Sequence, residues 1–291
     1  MIMAKQSSAL AAIIDRLPDP DERGLLSNID KETVDSVVSQ IYEGGRKSLR
    51  ALIDMIVEPG KGDDVKPRYA LHCLAVRMCR PDEEKARRTF AQTLAMQLSG
   101  DRPKAVQKYL IQQLQVAGGK EVTAALGKML QDEELYEPAA QALVAIGDGA
   151  AEQSRKGCLT ALRDALPKVK GKIKLTIIQN LGVVRDAESV DALKEALEDD
   201  DREIRLAAGW GLANIGDAGS VDLLLEAADV EATYERNTAT KACLLLAERL
   251  LEAGRKNPAI RVYKHLYNTR SKSDEAYICE AAKEGLAAAA K

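Results

Sequence analysis

Residues 173–229 of this 291-residue chain hold one unit written twice. Leu181 answers to Leu212, Asp186 to Asp217, and Ser189-Val190-Asp191 to Ser220-Val221-Asp222, each pair 31 residues apart. Within a copy, two apolar runs flank a short Asp/Gly/Ser turn. In the second copy, Ile204, Ala207, Ala208, Leu212 and Ile215 recur at spacings of three and four, which puts them on one stripe of a helix. Val221, Leu224, Leu225 and Ala228 do the same for a second helix. Asp201 is placed to cap the first helix, and Gly216 to end it in a left-handed conformation. Two short helices cannot bury both apolar sides of such a unit. Stacked copies can, so the period predicts an array of helix pairs.

The string IRLAAGWGLANIGDAGSVDLLLEAAD resembles a HEAT repeat of the bacterial type also found in phycobilisome-lyase-like proteins. The resemblance fits two units closely and others loosely. It implies an all-α, right-handed α-solenoid (α-α superhelix) of about six to seven HEAT-like helix pairs. Leu74, Leu114, Leu143, Leu181 and Leu212 take similar places in the first helices, at intervals of 40, 29, 38 and 31, so insertions fall in the turns. Residues 1–30 are expected to form an N-terminal cap, with a helix from Ser8 to Leu17 broken by Pro18 and Pro20. The array proper is expected over 31–236. It begins with a helix capped by Asp30, and Glu58 to Pro67 is its most loop-like stretch. A turn is expected at Gly147-Asp148-Gly149. Residues 237–291 hold longer helices similar to a tetratricopeptide (TPR-like) pair, followed by a closing helix, and continue the stack.

Composition bounds the function. Aromatic residues are 3% of the chain and the formal net charge is −3, so neither base stacking nor attraction to anionic surfaces is favoured. No apolar run approaches the roughly 18 residues of a membrane helix. Five cysteines, with no C-x-x-C pair, fit buried thiols in a reducing, cytoplasmic compartment. His72 and Cys79 share a helix face about 10.5 Å apart along the axis, too far for one metal. With His72 and His265 the only histidines, and neither followed by Glu, the metal centre of HEAT-type deoxyhypusine hydroxylase is not expected. HEAT-like DNA glycosylases would need a basic, aromatic face. No phosphate loop or nucleophile motif is present, so no catalytic, cofactor or metal residue is expected.

What remains are surfaces. From Arg155 to Lys174, seven cations stand against one acid, and Lys168, Lys170, Lys172 and Lys174 alternate through a helix junction. From Asp186 to Glu203, nine acids stand against two cations, and the two runs are expected to attract one another across neighbouring repeats. Trp210 and Asn214 are similar in spacing to the peptide-clamping pair of armadillo importins. The HEAT resemblance implies a protein-binding scaffold, with the partner on a concave face lined by second helices. These carry Lys47, Arg50, Arg87, Arg88 and Gln92 early in the chain, and Asp191, Lys194, Glu195 and Asp222 later. The expected partner-binding residues are the four lysines, Arg87, Arg88, Asp191, Glu195 and Trp210. A lyase-like or accessory role on a tetrapyrrole or other small molecule is the alternative, as is a repeat module of a larger complex.

Overall fold

The computed structural model describes residues 9–23, 26, 30–149, 152–231, 233–270 and 272–290. Among the described residues every regular element is helical. The chain is an α-solenoid built of helix pairs, and it divides into two compact units, Met1–Leu162 and Arg163–Lys291.

In the first unit a short helix at 9–14 buries Leu10 and Ile14. It ends sooner than expected because Pro18 disfavours helical backbone before it. Ser8 lies outside the described residues. The pairs follow as α1 (Lys31–Glu43) with α2 (Gly45–Asp54), α3 (Val65–Met78) with α4 (Glu84–Ala95), and α5 (Lys104–Ala117) with α6 (Thr123–Met129). Next come α7 (Tyr136–Asp148) and α8 (Glu152–Ala165), within which the unit ends. First helices stack on first helices: α1 on α3, α3 on α5, α5 on α7. Asp30 caps α1, its carboxylate accepting from the Thr33 N–H at 2.9 Å.

Two expected turns prove helical. α3 starts at Val65, inside the stretch read as loop, and Pro67 sits in its first turn. There a missing N–H costs nothing, because first-turn N–H groups have no partner within the helix. α7 runs through Gly147 and Asp148. Gly147 packs under α8: a Cβ there would stand 3.4 Å from the Cys158 Cβ, an ordinary contact distance.

The second unit holds α9 (Gly171–Val183) with α10 (Val190–Ala196), α11 (Arg202–Ile215) with α12 (Val221–Ala228), and α13 (Thr233–Glu252) with α14 (Lys256–Thr269). α15 (Ala276–Ala289) closes it. α9 packs on α11 and α11 on α13. The 31-residue period is conformational as well as chemical. Ala187–Ser189 and Ala218–Ser220 are matching 3-10 turns that deliver the chain into α10 and α12. Both turns open on an aspartate in extended backbone, Asp186 and Asp217, and both bury their serine. The period reaches one position that the amino-acid types hide. Gly216 has φ +80°, and its counterpart Arg185 has φ +54°. In both copies the following N–H closes back on the helix, Asp186 to the Leu181 carbonyl at 3.1 Å and Asp217 to that of Leu212 at 3.3 Å. This is the left-handed helix end that glycine adopts without penalty.

α9 and α11 approach unusually closely. A Cβ on Gly182 would stand 2.8 Å from the Gly211 Cα, and one on Gly211 would stand 3.5 Å from the Gly182 Cα. Glycine at both positions is therefore what permits this close approach.

Arg185→Gly should stabilise the protein by roughly 0.5–1 kcal/mol, by relieving a left-handed non-glycine residue. Gly216→Ala should destabilise it by roughly 1–2 kcal/mol. Urea unfolding followed by circular dichroism reads both, and equal midpoints for wild type and Arg185→Gly would refute the strain.

Candidate protein-binding face

The second helices of the second unit bury one side and expose the other. α10 buries Leu193 and Ala196; α12 buries Val221, Leu224, Leu225 and Ala228. What the period leaves outside is a repeated pair of carboxylates one turn apart, Asp191 with Glu195 and Asp222 with Glu226, all exposed. Leu223 is 39% exposed beside them. Asp222 is engaged by Arg261 of α14, whereas Asp191, Glu195 and Glu226 have no ion pair within the described residues.

Several other charges of this unit are spent internally. Arg163, in the last turn of α8, pairs with Glu188 and reaches Asp186 at 3.6 Å. Lys174 of α9 pairs with Asp199. Lys194 of α10 pairs with Asp217 at 3.0 Å, and Arg205 of α11 with Glu235 at 2.7 Å. The basic and acidic runs thus meet across consecutive pairs, as their signs predicted. Of the four alternating lysines, Lys174 is half-buried and paired, while Lys168, Lys170 and Lys172 are exposed and have no ion pair within the described residues.

Three expected site residues make contacts within the chain, and one of them, Arg87, is largely covered. Arg87 of α4 is 15% exposed, pairs with Glu84 and Glu121 at 2.9 Å, and donates to the Ala117 carbonyl at 3.0 Å, closing the end of α5. Arg87 in turn holds the Glu84 carboxyl down to about 2. Arg88 is exposed, 3.2 Å from Glu84. Trp210 lies on α11, a first helix, with its ring over Gly182 of α9 and 38% exposed. Its companion Asn214 is buried: its amide donates to the Gly182 carbonyl at 2.9 Å, and its oxygen accepts from Arg249 at 3.2 Å. A buried amide engaged in this way ties three first helices together and has no arm to offer a peptide, so the clamp reading of this pair does not hold.

Other polar clusters are structural too. His72 Nδ1 lies 3.0 Å from Gln113 Oε1. Among the described residues no group of three or more His, Cys, Asp or Glu side chains is arranged to hold a metal. An open apolar cleft of about 450 Å³ lies in the first unit, floored by Ile41, Leu49, Leu74, Met78 and Phe90. At its edge the Tyr42 hydroxyl donates to Glu83 at 2.8 Å. A cluster at the end of the second unit had no signal in the sequence. Arg270, with its side chain fully buried, bonds Asp229 at 2.9 Å, the Ala228 carbonyl at 2.8 Å and Thr240 at 3.2 Å, and Arg236 pairs with Glu275 beside it. A buried guanidinium is tolerable only when satisfied in this way.

A helical-repeat solenoid with a polar, periodic outer face is thus what sequence and fold define together. A family model described as HEAT repeats matches residues 159–243. No curated protein matches the chain. Among solved structures, an engineered protein studied as a structural-genomics target is similar at 18% identity. The match covers 98% of this chain and 79% of that one, with a TM-score of 0.48. A computationally designed armadillo repeat protein for modular peptide recognition is 21% identical over 95% of this chain and 99% of its own, with a TM-score of 0.30.

The internal carboxylates carry a pH signature. Burial alone would raise Asp217 and Asp229, but Ser220 and Lys194 at the first, and Arg270 and His265 at the second, outweigh it and hold both below the usual 3.8. Lys174 lowers Asp199, and Arg236 lowers Glu275 below 4.5. A depressed folded pKa contributes stability above the unfolded value and loses it as pH falls through the folded one. Urea midpoints should therefore decline as pH drops below about 4.5, and Asp217→Asn should shallow that decline. An unchanged acid slope in the variant would contradict it.

Proposed function

We propose that this chain is a protein-interaction scaffold with no chemistry of its own, whose protein partner docks along the face made by its second helices, the side expected to be concave. The observation that carries the reading is the pair of carboxylates repeated on α10 and α12 at the 31-residue period. Three of these four carboxylates have no ion pair within the described residues, while Arg163, Lys174, Lys194 and Arg205 nearby are consumed internally. A face of this kind fits a partner bearing basic groups, with rim charges that steer encounter more than they add affinity. The mildly acidic net charge gives no support to nucleic acid or anionic membrane as the partner. Burial raises the Cys158 and Cys243 thiols to about 12, which leaves them without the thiolate a nucleophile would need.

A photo-crosslinking residue placed at Glu195, Glu226 or Val183 tests the face directly. Val183 is 54% exposed and lies on α9, a first helix. The same protein adduct is expected from positions 195 and 226 and none from 183. Raising the salt should weaken it, because exposed charges are screened over about 8 Å at physiological ionic strength. Adducts from 183 alone would overturn the assignment.

A further inference from the structure

Within the second unit, the segment joining α8 to α9 and the segment joining α10 to α11 form opposite sides of an open groove of about 940 Å³. One side carries Pro167, Val169 and Lys170, with Lys168 and Lys172 exposed on either side of Lys170 in the chain. Val169 and Lys170 run in extended backbone, at φ −127°, ψ 162° and φ −137°, ψ 170°. The opposite side carries Glu195, Glu198 and Asp200, all exposed. The floor between is apolar and mostly small: Leu166, Ala192, Ala196 and Ile204.

Two ion pairs flank the groove, Arg163 of α8 with Glu188 in the turn between α9 and α10, and Lys174 of α9 with Asp199 in the segment joining α10 to α11. They use up one cation and one anion each. The charges that remain, Lys170 on one side and Glu195, Glu198, Asp200 and the α11 cap Asp201 on the other, are opposite in sign, line one groove, and form no ion pair with one another within the described residues. A groove of one sign would select a ligand of the other. This one has both signs, on separate walls, over a strip where two alanines leave room for a backbone to lie close.

We propose that this groove receives an extended peptide segment of a protein partner in which an apolar residue stands between an acidic and a basic residue. The acidic residue pairs with Lys170, the basic one with Glu195 and Glu198, and the apolar side chain lies on Ala192 and Ala196. The inference rests on the scaffold reading and adds to it the chemistry of the segment recognised. Arg163, Lys174, Glu188 and Asp199 hold the site's shape, whereas Lys170 and Glu195 select the ligand.

The test uses the full chain and three fluorescein-labelled peptides with Gly-Ser flanks, differing only at the core: Glu-Ser-Leu-Ser-Lys, Glu-Ser-Leu-Ser-Glu and Lys-Ser-Leu-Ser-Lys. In anisotropy titrations the mixed peptide should bind roughly tenfold tighter than either other, as one attraction replaces one repulsion. Lys170→Glu should transfer the preference to the doubly basic peptide, and Glu195→Lys, which leaves Glu198 in place, should narrow the preference for the mixed peptide over the doubly acidic one. Neither residue takes part in an internal ion pair, so circular dichroism should match wild type. A doubly acidic peptide that binds as well as the mixed one, indifferent to Glu195→Lys, would overturn the proposal, because the lysines alone would then be acting. If no peptide binds while crosslinks at 195 and 226 persist, the groove assignment falls and the scaffold stands. If the peptides bind with the expected preferences but those crosslinks fail, the groove stands and the wider docking face falls.

Discussion

The contact between α9 and α11 at Gly182 and Gly211 sets the spacing on which the second unit depends. With no Cβ on either side, the two helices come close enough for Asn214 to donate to the Gly182 carbonyl, and for the Trp210 ring to lie over Gly182. Asn214 then accepts from Arg249, so the same amide carries the register on to α13. Small residues, a buried amide and a flat ring thus do what large aliphatic knobs do in other helix packings. The cost is that this region cannot tolerate an added methyl group, since a close-packed interior has no slack to absorb it.

Stacking fixes which charges can meet. Each turn presents an aspartate to a cation of an adjoining pair, Asp186 to Arg163 and Asp217 to Lys194. These pairs are largely covered, so part of what each gains is offset by the cost of taking its charges out of water. Their larger consequence is to divide the charged side chains into two populations. One population closes turns and helix ends. The other is left facing solvent; it includes Asp191, Glu195 and Glu226 on the second helices and Lys170 in a segment that joins pairs, with Lys172, Lys241 and Glu248 on first helices. That division, more than any single residue, is the basis for assigning a docking face.

Much of the fold was legible because it rests on local rules. Helical spacing, Asp30 and Asp201 as caps, and Gly216 as a helix end are properties of short stretches, and the structure has all of them. Errors arose where one residue type has two meanings. Pro67 and Gly147 read as breakers, but a proline in a first turn and a glycine under a neighbouring helix are both helical. The site was less legible, because exposure is a tertiary property. Lys168, Lys170, Lys172 and Lys174 look alike in the chain, yet among the described residues only Lys174 finds a carboxylate. Arg87 looks like a surface cation and closes a helix end instead. Trp210 and Asn214 have the spacing of a clamp, but their helix is a first helix and the amide faces inward. The Arg270 cluster is invisible beforehand, because its partners lie up to 42 residues away in the chain.

The division of charges can be measured without knowing any partner. Reductive methylation of the native chain, followed over time by mass spectrometry of its peptides, ranks the lysines by how freely each amine reacts. Lys168, Lys170 and Lys172 should react together at the rate of solvent-exposed lysine. Lys174 and Lys194, held against Asp199 and Asp217, should lag behind them severalfold. If Lys174 and Lys194 are modified as fast as Lys170, the turns are not closed by these pairs, and the separation of structural from available charge is contradicted.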